Sequence, residues 1–155
     1  MKLVCCKVFT FDMAHRLYNH ESKCLNFHGY TYHLEVYCRA KNDCLDDLGR
    51  IMDFSEIDAI TKKYLEKWDH NICLNEKDIE IGKLIEKEQK KQVIFLPYNP
   101  TAENMIQVIF EELNHIFNHK NIQICKLRLY ETPKCFVELI NEQHFKQEKN
   151  IIKSS

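Results

Sequence analysis

Residues 30–38 alternate strictly, with Tyr30, Tyr32, Leu34, Val36 and Cys38 on one parity and Thr31, His33, Glu35 and Tyr37 on the other. Successive side chains of a strand point to opposite faces, so this period of two predicts a strand with one buried face. Residues 125–131 behave likewise: Cys125, Leu127, Leu129 and then Glu131 share a parity, with Lys126, Arg128 and Tyr130 opposite. Thr132-Pro133 turns the chain, so residues 135–140 can return as a hairpin partner, and residues 3–11 can pair with residues 30–39. Half-buried strands need an apolar layer on their inner face.

Two amphipathic patterns between the strand pairs supply it. The first opens at Asp53, with Glu56 three residues on as a capping box, and aligns Ile57, Ile60, Tyr64, Leu65 and Trp68. The second opens at Asn99-Pro100, with Pro100 at the first helical position, and aligns Ala102, Met105, Ile106, Ile109, Phe110, Leu113 and Ile116. The order ββααββ predicts an α+β fold, a four-stranded antiparallel sheet with two helices packed on one face. Residues 83–92 are strongly charged and read as a solvated surface insertion, and residues 148–155 as a frayed tail. Three Gly, three Pro and no internal repeat point to a single domain over residues 1–155.

Charge narrows the partners. Lys plus Arg number 22 against 23 Asp plus Glu, so no net field draws the chain to nucleic acid or an acidic membrane, and an anionic ligand must be held locally. The longest apolar runs, such as residues 93–96, are too short to span a bilayer, and the first residues lack the apolar core of a signal peptide; a cytoplasmic protein is expected. The eight cysteines are scattered without a C-x-x-C pair, which predicts reduced thiols rather than a disulfide scaffold or a structural zinc motif.

Three places carry residues capable of chemistry. His15 follows the first strand while Cys24 and His28 precede the second, so two imidazoles and a thiol converge on one end of a hairpin, with Gly29 permitting close backbone approach. Asp69-His70 closes the first helix; it suits either a base with its tautomer fixed by a carboxylate or an imidazolium at a helix C-terminus. Glu131 continues an apolar parity, and an inward carboxylate is costly unless something pairs with it. Its partner is an internal cation or solvent, or a ligand with a guanidine-like edge such as the 2-amino and N3–H groups of a pterin or guanine.

Taken together the residues resemble the 6-pyruvoyl- and 6-carboxy-tetrahydropterin synthase family. The likeness runs through Phe11-Asp12-Met13-Ala14-His15-Arg16-Leu17, Lys23-Cys24-Leu25-Asn26-Phe27-His28-Gly29, Gly49-Arg50-Ile51-Met52-Asp53-Phe54, Trp68-Asp69-His70-Asn71, Asn99-Pro100-Thr101-Ala102-Glu103-Asn104 and Leu129-Tyr130-Glu131-Thr132. Each motif is weak alone; their common order makes the signal. The resemblance implies a tunnelling fold whose protomers form a homo-oligomeric β-barrel, usually a hexamer of two stacked trimers, with active sites at subunit interfaces. It implies Zn2+ on His15 and His28, Cys24 as catalytic thiolate, Asp69 and His70 as a proton-relay pair, Glu131 as pterin anchor and Thr101 as a further pocket residue.

One position departs from the family string His-Gly-His: the third zinc position is Tyr30. Tyr30 shares the parity of His28, whereas His33 lies on the other. Phenolate is an uncommon zinc ligand, which leaves a His15-His28-Tyr30 site, a two-histidine site completed by water or His20, or no metal. By resemblance the substrate is 7,8-dihydroneopterin triphosphate and the product 6-carboxytetrahydropterin, used towards queuosine, with Arg16, Lys23 and Lys134 as candidates for the triphosphate. The 6-pyruvoyl reaction and a non-catalytic pterin-binding relative are the rival expectations.

Overall fold

The computed structural model describes residues 3–142; the frayed tail expected at residues 148–155 lies outside them. In chain order the elements are β1 (Cys5–His15), β2 (His28–Ala40), α1 (Phe54–Leu65), β3 (Asn71–Asn75), α2 (Ile79–Gln89), β4 (Ile94–Leu96), α3 (Ala102–Asn118), β5 (Ile122–Thr132) and β6 (Cys135–Ile140). β1 and β2 pair antiparallel in a register that sets His15 opposite His28, and β5 and β6 extend the sheet antiparallel beyond β2.

The expected four-stranded antiparallel sheet is corrected to a mixed sheet of six strands, in the order β4-β3-β1-β2-β5-β6. β3 runs parallel to β1 and β4 parallel to β3. These strands escape a period-two search for a physical reason. Cys73 and Leu74, adjacent in β3, are both fully buried, so the strand is covered on both faces and has no polar parity, while β4 has only three residues. Parallel neighbours need a crossover, and α2 supplies it, which corrects the reading of residues 83–92 as an insertion. Its charges do face solvent; its contact is one narrow strip around the buried Gly82, where a Cβ would stand 2.2 Å from the tip of the Phe95 ring.

The core lies on the sheet face covered by α1 and α3, where Phe11, Leu34 and Leu129 pack with Ile57, Trp68 and Ile109. Asp53 caps α1 as expected, but through Ser55, whose N–H and Oγ donate to Asp53 Oδ1 at 2.8 and 2.6 Å. The reciprocal half of the capping box is absent from the described contacts, and Glu56 pairs with Lys120 instead. The N-cap of α3 is Thr101, not the residue before Pro100; its Oγ1 accepts the Asn104 N–H, which leaves the Pro100 carbonyl outside the helix and available. At the other end Phe117 is buried and Ile116 is 38% exposed, so the apolar stripe turns one residue further than its spacing suggests. In β5 an irregularity opposite Tyr37–Cys38 resets the parity: Ile124 is fully buried, Cys125 only half-buried, and Leu127 and Leu129 resume the core side. No helix among the described residues is long and apolar enough to cross a membrane. All eight cysteines are free.

Candidate active site

The register of β1 and β2 brings two imidazoles together at the open end of the hairpin, with His15 Nε2 and His28 Nε2 3.0 Å apart. Each ring is fixed from behind. His15 Nδ1 lies 2.9 Å from the Pro100 carbonyl and His28 Nδ1 2.8 Å from the Asn26 carbonyl, so both rings donate from Nδ1 and turn an Nε2 lone pair towards the same point. Burial, reinforced by His28, pushes the His15 pKa down to about 4, which keeps that lone pair free at neutral pH. Two nitrogens on a tetrahedral zinc at its usual bond lengths stand about 3.4 Å apart, so this pair fits a metal after a small adjustment. Gly29 makes the close approach possible: a Cβ there would lie 2.7 Å from the Met13 carbonyl oxygen.

A cleft of about 300 Å³ opens in front of the pair, and Cys24, Tyr30, Thr101 and Glu131 all line it. Tyr30 stands edge-on to both imidazoles, with ring centroids 6.0 Å from His15 and 5.6 Å from His28. Burial and the nearby Glu131 raise its pKa, so the phenol is neutral unless a cation draws off its proton. Glu131 Oε1 accepts from the Tyr32 hydroxyl at 3.4 Å and lies 3.8 Å from His15 Nε2. Burial raises its pKa against the pull of Tyr32 and His28, the state of a carboxylate whose hydrogen-bonding capacity is only partly used.

Asp69 and His70 stand elsewhere. Asp69 Oδ2 is 3.0 Å from His70 Nδ1, and Asp69 Oδ1 accepts the Asp12 N–H at 2.8 Å, so the two side chains form a true dyad. Burial opposes ionisation of Asp69, but the Asp12 amide and His70 outweigh it and hold the carboxyl below its usual range. His70, at φ 53°, is exposed on a shallower hollow of about 530 Å³, and of the cleft's named residues Tyr30 alone also borders that hollow. Asp12, Asp69 and His70 bring three potential ligand atoms within 4.8 Å of one another. Arg16, a triphosphate candidate by sequence, is turned instead to the buried Asp78, Nε to Oδ2 3.1 Å.

The residues sequence reasoning missed are those that orient His15 and Glu131: Tyr32, which bridges the two, and Pro100, whose carbonyl accepts from His15. Tyr32 was legible only as a core residue of the alternating strand. A backbone carbonyl has no sequence signal beyond the helix boundary beside it.

Residues 4–142 match the model of the family described as 6-pyruvoyl tetrahydropterin synthase. The chain is 37% identical over 137 residues to a 6-carboxy-5,6,7,8-tetrahydropterin synthase of Rickettsia bellii, covering 87% of this chain and 98% of that one. It is 36% identical over 139 residues to the Haemophilus influenzae protein of the same name, covering 85% and 94%. Among solved structures, an uncharacterized protein from Wolinella succinogenes superposes with a TM-score of 0.76 at 17% identity, over 92% of this chain and 99% of that one. The Caenorhabditis elegans 6-pyruvoyl tetrahydropterin synthase gives 0.63 at 22%, over 90% and 95%. The fold is that of these tetrahydropterin synthases, and the chain belongs to the 6-pyruvoyl tetrahydropterin synthase family.

Proposed function

We propose that the chain is a zinc-dependent 6-carboxy-5,6,7,8-tetrahydropterin synthase of the cytoplasm, a homohexamer acting on 7,8-dihydroneopterin triphosphate towards queuosine. The observation that carries this reading is the convergence of two preoriented Nε2 atoms on a cleft shared with Cys24 and Glu131. The names of the relatives at 36–38% identity favour the carboxy branch over the pyruvoyl one.

His15 and His28 would hold the metal, with Tyr30 beside them as third ligand. Zinc bound there supplies Lewis acidity towards the hydroxyls of the substrate side chain. The chain's own residues do the rest. Glu131 accepts two parallel hydrogen bonds from the 2-amino and N3–H groups of the pterin, satisfying a carboxylate that its burial otherwise disfavours. Thr101, at the start of α3, borders the ring. Cys24 removes a proton from the side chain at Sγ, and Asp69-His70 moves the second proton through the His70 ring. Because the dyad opens on a different hollow from Cys24, we place it against a neighbouring protomer's cleft in the oligomer. Lys23 and Lys134, both exposed, are the remaining candidates for the triphosphate.

The test is metal content per chain, measured with conversion of 7,8-dihydroneopterin triphosphate and identification of the product by mass. Near-stoichiometric zinc and a 6-carboxy product are expected. A 6-pyruvoyl product would move the chain to the other branch, and turnover without zinc would remove the metal from the reading.

A further inference from the structure

Residues 16–27 join β1 to β2 and carry Cys24, yet they add no strand to the sheet. A proton-abstracting thiol on such a segment needs its backbone fixed from outside. The segment closes on itself through the Leu17 N–H, which donates to the Cys24 carbonyl at 2.9 Å, so whatever fixes residues 17–18 also fixes Cys24.

That anchor is one carboxamide. The Tyr18 N–H donates to Asn99 Oδ1 at 2.8 Å, and Asn99 Nδ2 donates to the Tyr18 carbonyl at 3.1 Å. Asn99 therefore makes with Tyr18 the pair of bonds a neighbouring strand would make. Asn75 Nδ2 donates to the same Oδ1 at 3.2 Å, which sets which end of the amide faces which group. The Asn99 backbone is pinned in turn, its carbonyl accepting from Asn104 Nδ2 at 2.8 Å in the first turn of α3. The next carbonyl, that of Pro100, orients His15.

We propose that Asn99 is a positioning residue for Cys24, setting the thiol's place in the cleft through its paired hydrogen bonds to Tyr18. The proposal rests on the role given to Cys24 above. The residue type follows from the pairing: an amide offers a donor and an acceptor together, whereas an aspartate at this position would lack the donor and set a carboxylate against the Tyr18 carbonyl. The Arg16–Asp78 ion pair is a second tie on the same segment, so loss of Asn99 loosens residues 17–24 without releasing them.

The experiment compares wild type with Asn99→Asp and Asn99→Ala in the zinc-loaded full-length protein. Iodoacetamide alkylation is followed at Cys24 by peptide mapping, with the exposed Cys44 as internal reference. The expected result is Cys24 alkylation about fivefold faster relative to Cys44, and a kcat lower by about 100-fold with KM within about threefold, the signature of a misplaced reacting group. Unchanged Cys24 reactivity, or a kcat loss matched by an equal rise in KM, would overturn the proposal. Because alkylation does not depend on turnover, a wild type inactive on the pterin triphosphate would sink the proposed function while leaving this question decidable. If neither Asn99 variant folds, Asn75→Asp keeps an Oδ1 to accept the Lys77 N–H and removes the second donor to Asn99 Oδ1; it is expected to show the same selective change at Cys24 in smaller measure, and none would refute the proposal.

Discussion

His15 is 2% exposed and refuses a proton that the unfolded chain accepts, because burial first and His28 second lower its pKa from 6.5 to about 4. A depressed pKa stabilises the fold where the ring is neutral in both states, above about 6.5, and that contribution is lost as pH falls towards 4. The shift corresponds to about 3 kcal/mol. Thermal melts of the metal-free protein are therefore expected to lose Tm between pH 6.5 and 4, and His15→Gln to flatten that slope; an unchanged slope would assign the acid sensitivity to another group. Glu131 offers a second residue-level test. Glu131→Gln keeps the shape but replaces one acceptor with a donor facing the pterin amino group, so pterin binding should weaken by about 10- to 100-fold in titration calorimetry, with zinc content unchanged. Tyr30→His would set a third imidazole beside the pair and should tighten zinc binding by about tenfold or more, read by competition with a chelator. If that variant keeps its zinc and loses turnover, the phenol itself serves the reaction.

What turns these residues into a site is the fit of two strands. Gly29 sits opposite Ala14, one step from the His15–His28 pair, and the atom nearest its absent Cβ is a backbone oxygen that cannot swing aside. Gly29→Ala should cost about 1–3 kcal/mol in denaturant unfolding and lower zinc content with it. Gly82→Ala is the control, since the atom it meets is the far end of the Phe95 ring, which can move; stability should change less there, and zinc content not at all. The same contrast explains what the sequence made legible. The β1–β2 hairpin, the two covering helices and the convergence of His15, Cys24 and His28 follow from alternation and helical spacing, because one face is wet and the other dry, whereas Tyr30 and Glu131 joined that group only through the family resemblance. β3 and β4 are buried or too short to alternate, α2 hides behind its charges, and the bulge at Cys125 leaves no mark in a run that alternates on either side of it. The fit of Asn99 to Tyr18 joins residues 81 positions apart, a pairing no local pattern encodes.

At the scale of the whole molecule, β1 and β2 turn one face away from the core, and the sheet has two outer edges, β4 and β6, with no neighbouring strand among the described residues. Val8 is 55% exposed on that face, and Phe136 and Ile140 in the edge strand β6 are 48% and 55% exposed, apolar surface of the kind that protomers cover in a closed assembly. Light scattering should give a mass of six chains of 18.6 kDa each. The separation of Cys24 from His70 makes that assembly testable through activity. Cys24→Ala and His70→Ala are each expected to be inactive as pure oligomers. If a working site takes Cys24 from one protomer and His70 from the next, co-expressing the two variants in equal amounts leaves about one site in four with both groups intact, and roughly a quarter of wild-type kcat per chain returns. If both groups come from one chain, every chain in the mixture carries a lesion and no activity returns. The recovered fraction thus decides whether the dyad works across a subunit boundary, in a way that neither variant alone can.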